Sequence, residues 1–127
     1  KTLESLMSVS DVLSVCCPAS KETINLINKK TISLLPNGAI VTNVARGDIV
    51  DDDALIEALD SKKVSAVGLD VYKNEPKLNP GYLKHNRAFV LPHLGSATFE
   101  TRTAMANLAI DNISEFFETG SCKNKVN

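Results

Sequence analysis

Four short apolar runs constrain the fold of this 127-residue chain more than any other feature of its sequence. They span residues 12–17, 39–44, 64–71 and 89–91, and each is continuous rather than alternating. Continuous apolar runs of this length are typical of strands in a parallel sheet, which is buried on both sides. We therefore expect an α/β fold with a mostly parallel sheet that helices cover on both faces.

Helix-like segments separate the first three runs. Residues 29–35 predict a short helix that begins after Asn28, and residues 51–59 predict a second helix that Asp51 caps. Between the third and fourth runs the sequence is irregular, with one turn of helix predicted at residues 79–84. This order of strands and helices supports the parallel sheet.

The C-terminal segment predicts one long helix. It spans residues 98–119, with Thr98 as its cap and Gly120 as its stop. Residues 120–127 form a polar tail. We expect the helix to carry a core-facing stripe of apolar side chains, formed by Met105, Leu108, Ala109, Ile113, Phe116 and Phe117.

Charge and cysteine content argue against several classes of protein. The net charge of −1 gives no electrostatic footprint for nucleic acid or an anionic membrane, and no apolar run is long enough to span a bilayer. Cys16, Cys17 and Cys122 suit neither a zinc site nor a disulfide framework, so we expect free thiols, no metal and a cytoplasmic protein. The chain begins at Lys1 rather than Met, so we expect a piece of a longer protein, which leaves an upstream organelle signal open.

Chemically active side chains follow the ends of the apolar runs. Arg46 follows the second run, Asp70 ends the third with Glu75 shortly after it, and His93 follows the fourth. All strands of a parallel sheet point the same way, so these residues should meet at its carboxyl edge, where open α/β sheets bind ligands. Pro18, after the first run, belongs to the same edge.

This combination favours acid–base chemistry on a small organic acid. Arginine offers a planar fork of donors that suits a carboxylate, so we expect Arg46 to hold such a group. Histidine ordinarily titrates near working pH and can give or take a proton, and Glu75 against one ring nitrogen would orient His93. Gly47 and Gly95 would let the backbone approach a ligand closely.

Each of these residues also has a purely structural alternative. Arg46 can cap a turn or pair with Asp48, and Asp70 can bond nearby backbone amides. Glu75 can be an ordinary loop residue, and His93 can be a half-buried imidazole without a chemical role. A functional role is favoured over these alternatives because all four residues are expected at the same edge of the sheet.

Two further residues are weaker candidates for a functional role. His85 lies in a polar stretch, and we expect it to be solvated. Ser96 with His93 suggests a Ser–His–Asp hydrolase, but the two are only three residues apart and the G-x-S-x-G context is missing.

Four segments, in this order, resemble the D-isomer-specific 2-hydroxyacid dehydrogenases: CCPASKETINLIN, NVARGDIVDDDALIEAL, GLDVYKNEP and PHLGSAT. The resemblance covers nearly the whole chain. It implies a Rossmann-like doubly wound parallel sheet, present here as its C-terminal portion. It also implies an NAD(P)-dependent oxidoreductase that acts on a small 2-oxoacid or D-2-hydroxyacid and is normally a homodimer.

The resemblance implies a role for each matching residue. Arg46 would bind the substrate carboxylate and carbonyl, His93 would donate a proton to the carbonyl oxygen, and Glu75 would be the partner of His93. The cofactor would be NAD or NADP. The residues that would bind it are Pro18, Thr23, Val44, Ala45, Arg46, Asp70, His93, Gly95 and Ser96.

One motif of the family is absent from the sequence. The chain contains no glycine-rich phosphate loop, G-x-G-x-x-G, and not the residue after the following strand that would separate NAD from NADP. We therefore expect residues 1–119 to be the C-terminal part of the cofactor domain, including the return helix at 98–119. Residues 120–127 would lead back to a substrate domain outside the chain. Alone, this part should bind dinucleotide weakly and turn over nothing.

The sequence constrains the substrate less than the reaction. The order HLGSAT resembles glyoxylate and hydroxypyruvate reductases more than phosphoglycerate dehydrogenases, which remain the alternative enzyme. A dinucleotide-sensing, corepressor-like binding protein is the alternative outside catalysis, because proteins of that kind keep the Arg, Glu and His.

Overall fold

A four-stranded parallel sheet forms the centre of residues 1–93. The computed structural model describes residues 2–126. The strands lie in the sheet in sequence order and are β1 (Val12–Val15), β2 (Ala39–Asn43), β3 (Val64–Leu69) and β4 (Ala88–Val90). All neighbouring pairs are parallel, which confirms the predicted α/β class.

The described residues contain four α-helices: α1 (Leu3–Met7), α2 (Lys29–Leu34), α3 (Asp52–Asp60) and α4 (Phe99–Thr119). Short 3-10 helices occur at Gly47–Ile49 and Tyr82–Lys84. The chain divides into two compact units, residues 1–93 and residues 94–127, and α4 belongs to the second. The sequence analysis did not predict α1 or the 3-10 helix at Gly47–Ile49.

The three predicted helices begin after the predicted caps and end within one residue of the predicted ends. Asn28, Asp51 and Thr98 each accept hydrogen bonds from backbone N–H groups in the first helical turn, which satisfies donors that have no partner within the helix. The last helix stops where Gly120 adopts a left-handed φ of 75°. The strands end one or two residues before their predicted ends, so Cys16 and Cys17 follow β1 rather than extend it.

Helices cover one face of the sheet within residues 1–93. A row of paired residues is buried in the core on that side: Leu13, Val41 and Val67. The opposite face exposes Val12, Ile40 and Phe89. The strands advance through the sheet in one direction, and right-handed crossovers then place every connecting helix on the same side. The expectation that both faces are covered is therefore wrong for this unit.

The predicted core stripe of α4 is also not observed. No residue of α4 is buried, and the six residues of the stripe are exposed: Met105, Leu108, Ala109, Ile113, Phe116 and Phe117. The helical period identifies which side of a helix is apolar. It does not determine whether the same chain supplies the surface that covers this side.

A buried hydrogen bond fixes the irregular stretch between β3 and β4 to α3. The Tyr82 hydroxyl donates to Oδ1 of Asp52 at 2.9 Å, and both residues are buried. Burial raises the pKa of Asp52, an effect that the hydrogen bond from Tyr82 partly offsets. Burial and the neighbouring Asp52 charge raise the pKa of Tyr82, which keeps its hydroxyl protonated as a donor.

The prediction that His85 is solvated is wrong. Its side chain is only 12% exposed, and its Nε2 lies 3.3 Å from Oδ1 of Asp60, in a geometry unsuited to a hydrogen bond. Arg87 donates to the carbonyl groups of Leu59 and Ser65, which draws this stretch against α3 and β3. The polar neighbours of His85 in the sequence gave no sign of this packing.

Within residues 2–126, no helix is long and apolar enough to cross a membrane. Cys16, Cys17 and Cys122 are free.

The raised pKa of Asp52 predicts a pH-dependent contribution to stability. Between the ordinary carboxyl value of 3.8 and the higher value in the fold, the folded protein binds more protons than the unfolded chain. The stability that Asp52 confers is therefore greatest below this window and falls as the pH rises through it. We expect the unfolding free energy of the wild type to fall relative to that of Asp52→Asn, which cannot titrate, as the pH rises from 3.8 through the higher value in the fold.

Urea denaturation at stepped pH measures this difference. Asp53→Asn is the matched control, because Asp53 is the exposed neighbour in the same helical turn. A wild-type-minus-Asp52→Asn difference that stays constant over the whole range would contradict the prediction.

Candidate functional site

Backbone hydrogen bonds join the carboxyl ends of three neighbouring strands. The N–H of Asp70, just after β3, donates to the carbonyl of Asn43 at the end of β2 over 3.0 Å. The N–H of His93, after β4, donates to the carbonyl of Asp70 over the same distance. The edge predicted from the strand ends is therefore a continuous structure with Asp70 at its centre.

Glu75 and His93 form the only direct contact between side chains predicted to be catalytic in the described residues. Nδ1 of His93 lies 2.8 Å from Oε2 of Glu75, and Oε1 of Glu75 accepts from the N–H of Tyr72 at 3.1 Å. The His93 and Glu75 side chains are 45% and 30% exposed. Because Glu75 engages Nδ1, the ring presents Nε2 to a ligand.

Two positive φ angles shape the backbone around this pair. His93 has φ 57°, and Asn74, immediately before Glu75, has φ 60°. Asn and His are among the residues that tolerate this left-handed region best, yet such conformations cost of order 1–3 kcal/mol and cluster at functional sites. At His93 the cost is offset by the backbone bond to Asp70 and the ring bond to Glu75.

Arg46 lies on the loop that follows β2. Its side chain is exposed, and Nη1 donates to the carbonyl of Ala45 at 2.6 Å. The alternative pairing with Asp48 does not occur among the ion pairs of residues 2–126. The guanidinium therefore lies in solvent beside the strand edge, within reach of an incoming carboxylate.

The sequence analysis missed the residue that holds this loop. The side chain of Asn43 donates from Nδ2 to the carbonyl of Arg46 at 2.9 Å and accepts at Oδ1 from the N–H of Ala45 at 3.0 Å. A signal was present in the sequence, because Asn43 is an amide at the end of a mostly apolar run.

Gly47 packs the Arg46 loop against the loop that carries Glu75. A Cβ atom at Gly47 would overlap the backbone of Tyr72 and Lys73. Because these neighbours are backbone atoms, no side-chain rotation can relieve the overlap. The two loops therefore approach each other this closely only with glycine at the position.

A cleft of about 530 Å³ opens where β1 and β2 end. The residues that line it are Cys16, Cys17, Pro18, Ala19, Val44, Ala45 and Arg46. Thr23 does not line the cleft. Its hydroxyl donates to the carbonyl of Pro18 at 2.9 Å and accepts from the N–H of Ser20 at 2.7 Å, which fixes the loop that forms one wall.

The other predicted cofactor-binding residues do not line this cleft. Gly95 and Ser96 belong to the second compact unit, where they precede Thr98 and α4. Their roles at the cofactor, and that of Asp70, stay predictions.

A comparison with known proteins identifies the family of the chain. The family described as "D-isomer specific 2-hydroxyacid dehydrogenase, NAD binding domain" matches residues 1–95. The chain belongs to this family. A glycerate dehydrogenase from Hyphomicrobium methylovorum is 43% identical over 91% of this chain and 36% of its own length. A glyoxylate reductase from Pyrococcus furiosus is 40% identical over 91% of this chain and 34% of its own length.

Solved dehydrogenases of the family share the fold. The crystal structure of an NADPH-dependent glyoxylate/hydroxypyruvate reductase from Sinorhizobium meliloti, in complex with NADP and malonate, superposes with a TM-score of 0.90. It is 35% identical, over 96% of this chain and 38% of that chain. The resemblance and the Rossmann-like sheet inferred from the sequence are thereby confirmed. This chain spans about a third of the length of the curated relatives it matches.

The residues of the cleft fit part of a dinucleotide. The volume of the cleft lies within the range of roughly 300–1,000 Å³ that is usual for small-molecule sites. Val44 is exposed beside Pro18 and offers an apolar wall for a planar ring, while Arg46 places a positive charge at the rim. These residues could therefore hold part of a dinucleotide.

The close approach at Gly47 predicts a strong effect of one added methyl group. Gly47→Ala should push the Arg46 and Glu75 loops apart, destabilise the protein by about 1–3 kcal/mol and lower its turnover in full-length form. Gly68→Ala is the matched control, because its Cβ would meet only the Thr42 side chain at an ordinary 3.4 Å. Thermal melting and steady-state kinetics of both variants test this, and equal behaviour of the two would contradict it.

Proposed function

We propose that the full-length protein transfers a hydride between NAD(P)H and a small 2-oxoacid, giving a D-2-hydroxyacid. The 2.8 Å contact between His93 and Glu75 at the carboxyl edge carries this proposal. Arg46 is exposed and follows β2, the strand beside β3. The chain also belongs to a family of dehydrogenases. Together these features supply a proton donor, its orienting carboxylate and a holder for an acid.

Arg46 is the residue that binds the substrate in this proposal. Its guanidinium can meet a carboxylate with two parallel hydrogen bonds, which fixes the plane of a 2-oxoacid as well as its position. The existing bond from Nη1 to the Ala45 carbonyl restrains the side chain before the substrate arrives. That restraint reduces the conformational entropy lost on binding.

His93 moves the proton. Glu75 holds Nδ1 and orients the ring, so Nε2 delivers a proton to the carbonyl oxygen during reduction and takes one from the hydroxyl during oxidation. When bound, the dinucleotide supplies the hydride, which reaches the carbonyl carbon. The proton and the hydride together would convert the carbonyl group, an aldehyde in glyoxylate and a ketone in hydroxypyruvate, to a hydroxyl group, so charge and atoms balance in both directions.

The assembly of the whole protein is part of the same proposal. Residues 1–119 form the C-terminal part of the NAD(P)-binding domain, and residues 120–127 lead back to a substrate domain. The full-length protein is a homodimer of the cytoplasm that binds neither nucleic acid nor membranes. The balanced charge and the three free thiols support this view.

Glyoxylate or hydroxypyruvate is the proposed substrate. The glyoxylate reductase and the glyoxylate/hydroxypyruvate reductase among the relatives support this choice. Phosphoglycerate dehydrogenase activity would require additional cationic residues for a phosphate, outside this chain. NAD and NADP both remain in the proposal, because the residue that separates them lies outside the chain as well.

Turnover by the full-length protein tests reaction, substrate and cofactor together. NADH and NADPH oxidation would be followed with glyoxylate, hydroxypyruvate, pyruvate and phosphohydroxypyruvate side by side. Turnover of one of the first two acids supports the proposal, and turnover of phosphohydroxypyruvate alone would replace the substrate. Dinucleotide binding without turnover of any 2-oxoacid would favour a corepressor-like sensor instead.

Replacement of the proton donor should abolish most of the reaction. We expect His93→Ala to lower kcat by about 10²- to 10⁴-fold, because general acid catalysis contributes roughly that much. The dissociation constant for NADH or NADPH should change little, since the cleft lining at Pro18 and Val44 is untouched. Near-normal kcat in this variant would remove His93 from the mechanism.

Replacement of the arginine by lysine separates charge from shape. Arg46→Lys keeps the positive charge but loses the fork, so we expect KM for the 2-oxoacid to rise by about tenfold or more with a smaller change in dinucleotide affinity. Steady-state kinetics at saturating cofactor measure this. Unchanged KM and kcat would show that the guanidinium does not hold the substrate.

A further inference from the structure

Asn43 is an unusual member of the sheet. It pairs with Val15 on one side and Leu69 on the other, and Leu69 pairs with Val90. It is therefore the polar member of a cross-strand row that is otherwise apolar. It is only 1% exposed. A buried amide in such a place costs free energy unless its donors and acceptor are paired.

The partners of Asn43 all lie on the backbone around the site. Nδ2 donates to the carbonyl of Arg46, and Oδ1 accepts from the N–H of Ala45. The main-chain carbonyl of Asn43 accepts from the N–H of Asp70. One residue thus fixes the loop that carries Arg46 and links it to the end of β3, from which the chain continues to Glu75.

Only an apolar side chain of similar volume would fill this place in the core. It would leave the Ala45 N–H and the Arg46 carbonyl without these partners, and the loop would be free to adopt other conformations. The amide is therefore explained by the geometry of the loop, because an apolar side chain would occupy the space but leave these two backbone groups unpaired.

We propose that Asn43 is a positioning residue that sets where the Arg46 guanidinium meets the substrate. This role rests on the proposed function of Arg46 as the holder of the 2-oxoacid carboxylate. Asn43 touches neither substrate nor cofactor and acts through the backbone of residues 45 and 46. A displacement of about 1 Å at a binding group can cost on the order of 100-fold in rate.

A double-mutant cycle in the full-length protein tests this role. Asn43→Ala should lower kcat/KM for the 2-oxoacid by about 10- to 100-fold. If Asn43 acts through Arg46, adding Asn43→Ala to Arg46→Lys should lower kcat/KM much less than it does in the wild type. Additive effects would overturn the proposal, because a residue that serves only stability does not depend on the side chain at position 46.

Two control variants separate position from stability. Thr42→Val removes the hydrogen bond from the neighbouring strand residue to Ser14 and should leave kcat/KM within about twofold. Tyr82→Phe leaves buried Asp52 without its donor, so it should lower the melting temperature while kcat/KM changes little. An equal loss of kcat/KM in Tyr82→Phe and Asn43→Ala, at matched stability, would overturn the proposal.

A second variant covers the case in which Asn43→Ala does not fold. Asn43→Asp keeps the size of the side chain and the acceptor for Ala45, but an ionised carboxylate cannot donate to the Arg46 carbonyl. It should show a loss of kcat/KM that diminishes as the pH falls and the introduced carboxyl is protonated; unchanged kcat/KM at every pH would refute the role. A wild type that turns over no 2-oxoacid would instead refute the proposed function, and this role with it.

Discussion

The hydrogen bonds that join the ends of β2, β3 and β4 are the constraint on which the site depends. They run from Asp70 to Asn43 and from His93 to Asp70. A residue directly after a strand inherits a fixed position from the sheet, because the packed core holds the strand itself. Asp70, the first residue after β3, is placed in this way. His93 lies three residues beyond the end of β4, and its backbone bond to Asp70 ties it to the same edge.

Glu75 is placed by a different means, since it lies well beyond the end of β3. The left-handed turn at Asn74 and the N–H of Tyr72 hold its carboxylate. The long stretch that follows is fixed to α3 by the buried Tyr82–Asp52 bond. A loop of this length between strands needs such anchors, because loop residues otherwise keep conformational entropy that would blur the contact with His93.

The strands, the capped helices and the carboxyl edge of the sheet could be predicted from the sequence, because each depends on a local pattern. Continuous apolar runs predicted all four strands, and Asn28, Asp51, Thr98 and Gly120 predicted helix ends. What failed depended on distant parts of the chain. The covering of both sheet faces, the core stripe of α4 and the solvation of His85 are each decided by which surface lies opposite, and periodicity does not contain that information.

The site itself shows the same division. Arg46, Glu75 and His93 were predicted because their chemistry is visible in single residues. Gly47 was predicted only as a place where a ligand approaches the backbone, and Asn43, which carries no charge, was not predicted at all. Yet Arg46, Glu75 and His93 are exposed. Asn43 and Gly47 fix the backbone of the loops from which Arg46 and Glu75 extend, Asn43 by two hydrogen bonds and Gly47 by the absence of a side chain. The Arg46 side chain is held by a bond to the carbonyl of Ala45 in the same loop, so its accuracy as a substrate holder is limited by that loop. The accuracy with which Arg46 and Glu75 are positioned therefore depends on Asn43 and Gly47.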